Sequence, residues 1–207
     1  MISADDALQR LVRGNQRFLS GEGGRDLNLE HARRVQLVEE QAPFAVVLGC
    51  SDSRAPLELI FDQGLGDLFV IRVAGNLVSP SQIGSVEFAT GNFGTPLVVV
   101  MGHSQCGAVA ATVDHLLQGG EVPTPHLGFI VDRITPAVKT VREANPGLGR
   151  DELIAQSTRE NVRQTVAALS NGSELLKSQL QKGLLTIVGA EYSLATGRVE
   201  FLQDPGG

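Results

Sequence analysis

Two short segments bring together side chains that bind soft metal ions. The first is Cys50-Ser-Asp-Ser-Arg54 and the second is His103-Ser-Gln-Cys106, and they hold both cysteines of the chain. Thiolate sulfur and imidazole nitrogen are good zinc ligands, and two sulfurs disfavour magnesium and calcium. The residues therefore predict a zinc site made by Cys50, His103 and Cys106. With three protein ligands, its fourth position stays open for water, as in catalytic zinc sites.

Asp52 has two possible roles beside such a metal. It could bind the zinc as a fourth protein ligand and close the site, or turn away and accept a hydrogen bond from hydroxide on the metal. Arg54, two residues later, could hold the carboxylate in a bidentate pair and so keep it off the metal. We expect Asp52 and Arg54 to act together in catalysis, and both roles of Asp52 stay open.

The two segments must converge for this chemistry to occur. Each follows a short continuous apolar run, 44–48 before Cys50 and 97–101 before His103. Such runs, together with 68–73, are typical of strands buried on both faces of a parallel sheet. Ligands bind beyond the carboxyl ends of such strands. We therefore expect the segments to meet at one edge of the sheet.

The remaining pattern predicts helices on both sides of this sheet. Helical periodicity covers 4–19, 29–40, 82–91, 107–117, 127–144, 150–170 and 173–181. Two further strands, 184–192 and 198–202, are predicted to form a C-terminal β-hairpin closed by Gly197. The fold class is therefore α/β, with a central, mostly parallel sheet flanked by helices.

Length and composition limit the function. The 207 residues predict one domain, 1–207, with an N-terminal helical arm (1–42) and an α/β core (43–207). A net charge of −6 argues against nucleic acid. No apolar run reaches the ~20 residues of a membrane helix, and the N-terminus does not have the pattern of a signal peptide. We predict a cytoplasmic protein with no membrane partner, where two cysteines indicate metal binding or redox chemistry.

The first helix needs a surface on which to bury its apolar stripe. It lies far in sequence from the first strand, so it could pack across a subunit boundary or on its own sheet. The sequence leaves both alternatives open.

The two segments and their spacing resemble the signatures of the β-class carbonic anhydrases. Gly66–Asn76 and the Gly189-Ala-Glu-Tyr192 hairpin are also similar to that family. The resemblance implies zinc on Cys50, His103 and Cys106, and Asp52 with Arg54 as a catalytic pair. It also implies a homodimer, or a homotetramer, whose N-terminal helices embrace the partner subunit.

The same resemblance implies a substrate pocket. Gln41 matches a glutamine that binds substrate or bicarbonate, Phe69 matches an aromatic wall at the dimer interface, and Gly107 leaves its N–H free near the metal. Phe88 stands where the family often has tyrosine, so a hydroxyl is missing. Val47 stands where relatives with a bicarbonate-triggered closed form have tryptophan, and we predict that this form is absent.

The expected reaction is the reversible hydration of CO₂ to bicarbonate and a proton, by attack of hydroxide held on zinc. Two alternatives remain. Carbonyl sulfide and carbon disulfide are linear like CO₂, and the same ligands could serve their hydrolysis. A zinc-stabilised binding or sensory protein would instead keep Asp52 on the metal permanently. His31, His115 and His126 are possible proton shuttles, or ordinary surface residues.

Overall fold

A five-stranded sheet forms the centre of the computed structural model, which describes residues 2–24, 31–119 and 122–202. Its strands lie in the order β2-β1-β3-β4-β5, of which the first four are parallel and β5 is antiparallel to β4. The strands are β1 (Ala45–Gly49), β2 (Leu68–Arg72), β3 (Leu97–His103), β4 (Thr186–Tyr192) and β5 (Val199–Leu202). The predicted α/β class, the mostly parallel sheet and the C-terminal hairpin are confirmed.

Helices precede, connect and flank these strands. In the described ranges they are α1 (Ala4–Ser20), α2 (His31–Glu39), α3 (Leu57–Ile60), α4 (Pro80–Asn92), α5 (Gly107–Gln118), α6 (Pro125–Ala144), α7 (Arg150–Gly172) and α8 (Glu174–Gln181). Each predicted helix is present with shifted ends; residues 29 and 30 of the second prediction lie outside the described residues. Within those ranges, no helix has the length and apolar character needed to cross a membrane.

Two elements were not predicted, the short helix α3 and a 3₁₀ turn at Ala74–Asn76. Strand β3 also runs two residues beyond its predicted end, because Gly102 and His103 pair with Glu191 and Tyr192 of β4. This extension matters for the site, since it makes His103 the last residue of a sheet strand.

The two central strands are buried on both faces, as their unbroken apolar sequences predict. Every residue of β1 and β3 is buried. One face packs against α1 and α3, and the other packs against α4, α7 and α8. The layered arrangement holds the carboxyl ends of β1 and β3 at one fixed edge.

Close packing of α7 on the sheet depends on two glycines. A Cβ at Gly102 or at Gly189 would come within 2.7 or 2.8 Å of a Val162 methyl group. Val162 of α7 therefore fits into a depression that only glycine leaves open on β3 and β4.

Helix α1 packs on its own subunit. Ala7 and Leu11 are fully buried against the sheet core, and Asn15 donates to Gly197 O (2.9 Å) and accepts from Val199 N (2.9 Å) in the C-terminal hairpin. For α1, the structure thus favours packing on its own sheet over packing on a partner. In α2, by contrast, Val38 is 80% exposed, so the expectation of partner contact now concerns α2.

Candidate metal centre

The three predicted zinc ligands meet at the carboxyl edge of the sheet. Cys50 directly follows β1, His103 ends the neighbouring strand β3, and Cys106 immediately precedes α5. Between the last two, Gln105 adopts a positive φ of 54°. This left-handed residue turns the chain sharply, so that Cys106 comes back beside His103.

The geometry of the donor atoms suits a tetrahedral metal. One ligand atom from each of Cys50, His103 and Cys106 lies within 4.8 Å of the other two, and all three residues are buried. The two Sγ atoms are 4.0 Å apart, far beyond the ~2.05 Å of a disulfide. Two thiolates at ~2.3 Å from one zinc ion are about 3.8 Å apart at the tetrahedral angle.

The histidine presents the nitrogen that a metal would need. His103 Nδ1 lies 3.0 Å from Ser104 O, and since a carbonyl only accepts, Nδ1 carries the proton. Nε2 then keeps its lone pair. Nε2 is buried and has no hydrogen-bond partner among the described residues, which is costly unless another group binds there. The donor set therefore fits zinc.

The two thiols divide their charge unequally. The Cys106 thiol hydrogen-bonds to Cys50 Sγ, and this contact lowers the pKa of Cys50 to about 4 despite burial. The same contact, together with burial, raises the pKa of Cys106. Amides of Val109 and Ala108 at the start of α5 lower it, but by less. Cys50 is therefore the thiolate of the pair.

His103 responds to that thiolate. Burial opposes protonation of the imidazole, but the Cys50 thiolate outweighs it and raises the pKa of His103. A bound cation would compete with that proton, since metal ligands must be deprotonated.

Asp52 lies at the rim of this group and is held by Arg54. Arg54 Nε donates to Asp52 Oδ1 (2.9 Å), and Nη2 donates to Oδ2 (2.7 Å). Arg54 N also donates to Oδ1 (2.9 Å), which closes a local turn. These hydrogen bonds from Arg54 hold the pKa of Asp52 well below its usual range. Asp52 Oδ2 is 3.8 Å from His103 Nε2, yet Asp52 is outside the three-residue donor group.

Arg72 fixes the same loop from the end of β2, a contact that the sequence did not predict. Its guanidinium donates to Cys50 O (3.0 Å) and to Asp52 O (2.6 Å). A cationic residue at the end of a strand, level with the end of β1, was the available signal.

Two further residues near Cys50, Gly75 and Asn161, were not predicted either. Gly75 N donates to Cys50 Sγ (3.4 Å), and Asn161 Nδ2 donates to Gly75 O (2.8 Å).

A mostly apolar cavity of about 560 Å³ lies beside the start of α5, and none of the three donor residues lines it. Gly107, the residue after Cys106, lines it with Ala74, Ala108 and Ala111, and His115 lies further along the same cavity. Gly107 directly follows a ligand in sequence, and its expected role in substrate binding stays a prediction. Of the other two histidines, His126 is exposed in α6, and the side chain of His31 lies outside the described residues.

The remaining predicted pocket residues lie elsewhere in the subunit. Phe69 is three residues before the end of β2, about 10 Å back along the strand at ~3.3 Å per residue. Phe69 and Phe88 pack with Phe93 in a cluster with ring centroids 5.5 to 6.3 Å apart. Gln41 lines a separate surface cavity that also includes Phe93. Phe93 thus connects the Gln41 cavity to Phe69 and Phe88, and none of these three predicted residues belongs to the Cys–His–Cys donor group.

Known proteins are similar to this chain in both sequence and fold. A family model described as carbonic anhydrase matches residues 45–199. The chain is 44% identical over 197 residues to a carbonic anhydrase of Mycolicibacterium smegmatis, covering 94% of this chain and 91% of that protein. It is 38% identical to carbonic anhydrase 2 of Mycobacterium tuberculosis, covering 93% and 89%.

Solved structures agree. The β-carbonic anhydrase of Coccomyxa, in complex with acetazolamide, superposes with a TM-score of 0.70 at 26% identity, over 94% of this chain and 86% of that one. A tetrameric β-carbonic anhydrase of Sordaria macrospora has the same fold, with a TM-score of 0.75 at 21% identity, over 96% of this chain and 98% of that one.

Proposed function

The chain belongs to the β-class carbonic anhydrases, and on that basis we propose that it binds one zinc ion through Cys50, His103 and Cys106 and uses it to hydrate CO₂ reversibly to bicarbonate and a proton. Enzymes of this family are lyases that catalyse this reaction. A zinc ion with an open fourth position activates water as a nucleophile near neutral pH.

The observation that carries this proposal is the pairing of Asp52 with Arg54. The hydrogen bonds of 2.9 and 2.7 Å from the guanidinium occupy both carboxylate oxygens. Three protein donors then remain for the metal, which leaves room for water. A binding or sensory protein with a closed structural site would need Asp52 as its fourth ligand, and this pairing favours the enzyme.

In this arrangement Asp52 also orients the reacting water. Its Oδ2 is near the metal group, 3.8 Å from His103 Nε2, and it stays ionised because Arg54 lowers its pKa. A carboxylate accepts hydrogen bonds but, when ionised, donates none. Asp52 would therefore accept a hydrogen bond from a water in the open position, which would leave the oxygen lone pair free to react with CO₂.

The cavity beside the start of α5 is a candidate route for an uncharged, linear substrate. Four of its lining residues, Gly107, Ala74, Ala108 and Ala111, offer no charge to a gas molecule, while its other walls include Asp114 and His115. Bicarbonate is anionic and therefore gains less from such walls than CO₂ does.

We further propose that the functional form is a homo-oligomer in which Gln41, Phe69 and Phe88 serve the site of the partner subunit. Phe88 is 53% exposed although it is a large apolar residue. Phe69 lies on β2, an outer strand of the described sheet, and outer strands with apolar residues pair readily with another chain. The exposed Val38 of α2 is consistent with the same interface.

Two measurements test the reaction and its metal. Zinc content and CO₂ hydration rate are determined for the unmodified chain and for Cys106→Ala. We expect about one zinc per chain and measurable hydration in the first, and loss of both in the second. Full activity without bound zinc would overturn the proposal. Measuring carbonyl sulfide and carbon disulfide in parallel decides the substrate, since turnover of these gases in excess of CO₂ would reassign it.

Subunit mixing tests the shared site. Phe69→Ala and Cys106→Ala homo-oligomers are each expected to be inactive. Random mixing by refolding should restore about a quarter of the wild-type activity, because half of the dimers are mixed and one of their two sites carries no lesion. No recovery, with mixed oligomers present by mass spectrometry, would place Phe69 outside the partner's site.

The absence of a bicarbonate-triggered closed form remains a prediction. Val47 is fully buried in β1, within the apolar core on the α1 side of the sheet, which supports it. A crystal soaked in bicarbonate should show Asp52 still on Arg54; an anion beside Val47, with Asp52 on zinc, would contradict it.

A further inference from the structure

A buried asparagine in the middle of α7 reaches the ligand loop through one intermediate residue. Asn161 is 3% exposed, and its Nδ2 donates to Gly75 O at 2.8 Å. On the other side of the same residue, Gly75 N donates to Cys50 Sγ at 3.4 Å. Asn161 and Gly75 are 86 positions apart in sequence, so this contact exists only in the folded protein.

Gly75 needs outside support to keep this orientation. Its φ is +73°, a conformation natural only to glycine. A Cβ on Gly75 would lie 2.7 Å from Ile134 Cδ1 and 3.3 Å from Ala108 Cβ. The residue is therefore enclosed by α5 and α6, and its flexible backbone is held at the carbonyl by Asn161.

Helix formation alone does not explain why an asparagine occupies position 161 in the middle of α7. Asparagine has low helix propensity and usually bonds to its own backbone, whereas this side chain bonds to a residue outside its helix. Hydrogen bonds to a ligand sulfur fix its orientation and adjust how much charge it gives to the metal. Losing such contacts typically weakens metal binding.

We propose that Asn161 is a positioning residue for the metal centre: it holds Gly75 so that the Gly75 N–H donates to Cys50 Sγ, and it thereby sets how tightly this sulfur binds the metal. This inference rests on the proposed zinc site. Asn161 touches neither substrate nor metal, and it acts only through Gly75 and Cys50.

The experiment compares the full-length chain with Asn161→Ala and with Thr165→Ala. Thr165 is a matched control, since it is a buried polar residue one turn further along α7. The zinc dissociation constant is measured by competition with a chromophoric chelator, and the thiolate-to-metal absorption band is measured after cobalt substitution. We expect Asn161→Ala to raise the zinc dissociation constant about 10- to 100-fold and to shift the cobalt band. Thr165→Ala should leave both unchanged.

A merely structural role predicts a different pattern. In that case Asn161→Ala lowers the unfolding temperature but keeps the wild-type zinc affinity and cobalt spectrum, and the inference is overturned. If Asn161→Ala does not fold, the unmodified chain loaded with ¹¹³Cd decides. Coupling between the Gly75 amide proton and the cadmium nucleus supports the hydrogen bond to Cys50, and its absence overturns the inference. A wild-type chain that binds neither zinc nor cobalt would refute the proposed function itself.

Discussion

The Arg54 guanidinium donates hydrogen bonds to both carboxylate oxygens of Asp52, at 2.9 and 2.7 Å, while Oδ2 of the same carboxylate lies 3.8 Å from His103 Nε2. The carboxylate is thus close enough to the donor group to reach a metal. Its Oδ1 is held by the backbone N–H and the side chain of Arg54, whereas Oδ2, the oxygen that lies 3.8 Å from His103 Nε2, is held by the guanidinium. Removing the Arg54 side chain would therefore release Oδ2.

Arg54→Ala should therefore convert an open site into a closed one. The freed Asp52 remains ionised at neutral pH, because its pKa rises only toward the ordinary 3.8. We expect CO₂ hydration to fall about 10- to 100-fold and a crystal structure of the zinc-loaded variant to show an Asp52 oxygen in the position that water would otherwise occupy. Arg150→Ala is the control, since Arg150 holds Asp114 of α5 in a similar bidentate pair. An unchanged hydration rate in Arg54→Ala would show that the position of Asp52 does not depend on the Arg54 side chain.

Metal removal should lower stability because the donor atoms are buried. A ligand that binds only the folded state, present at 100 times its dissociation constant, stabilises by about 2.7 kcal/mol. We expect urea unfolding of the chelator-treated chain to shift to lower urea, and zinc to reverse the shift. Cys106→Ser should not respond to zinc. An equal response in this variant would place the stabilising metal elsewhere.

The contacts of the Asp62 carboxylate predict that the free energy of unfolding decreases in acid. Its side chain is 2% exposed, pairs with Arg17 (2.5 Å) and accepts from Gly24 N (2.6 Å). Burial raises its pKa, but these contacts outweigh burial, so the pKa in the folded protein lies below the ordinary 3.8. The ionised form therefore stabilises the fold above pH 3.8, and this contribution is lost as the pH falls through the folded pKa.

Asp62→Asn should consequently lower the free energy of unfolding at pH 7 by about 2 kcal/mol. The difference from wild type should shrink as the pH falls below 3.8, as measured by urea unfolding across pH. Asp132→Asn, at an exposed position in α6, is the control. A gap that stays constant down to pH 2 would contradict the assignment.

The depression that Gly102 and Gly189 leave for Val162 predicts that substitutions at Gly189 and Val162 have non-additive effects on the free energy of unfolding. Gly189→Ala places a methyl group 2.8 Å from Val162 Cγ1, and such overpacking typically costs about 1–3 kcal/mol. Val162→Ala removes the opposing methyl groups, so the double variant should be more stable than the sum of the two single losses predicts. Additive losses would mean that Gly189 is required for another reason.

The position of the metal group could be predicted from the sequence. Apolar runs before Cys50 and His103 indicate buried parallel strands, and such strands end at a common edge. Cys50 and His103 have 52 residues between them in sequence, and the topology of the sheet is enough to bring them together. The pairing of Asp52 with Arg54 was also predictable, because residues two apart in a tight turn reach one another without any tertiary contact.

Contacts that depend on packing could not be predicted. Asn161 and Arg72 reach the ligand loop from α7 and β2, and nothing local in sequence specifies these partners. The pKa order of the two thiols could not be predicted for the same reason: the start of α5 lowers the pKa of Cys106, but contact with Cys50 raises it by more. The packing of α1 on its own sheet was likewise one of two alternatives until Ala7 and Leu11 were seen to be buried.

The hydrogen bond between Asn15 and Val199 bears on how the chain folds as it is synthesised. The two residues are 184 positions apart, so the ribosome must complete almost the entire α/β core before this hydrogen bond can form. Other partners of α1 are synthesised much earlier, because Asn15 also donates to Ile60 O (3.2 Å) and Arg17 pairs with Asp62. Helix α1 can therefore dock on α3 and the residues after it while the chain is still being made, and the hydrogen bonds of Asn15 to the C-terminal hairpin form last.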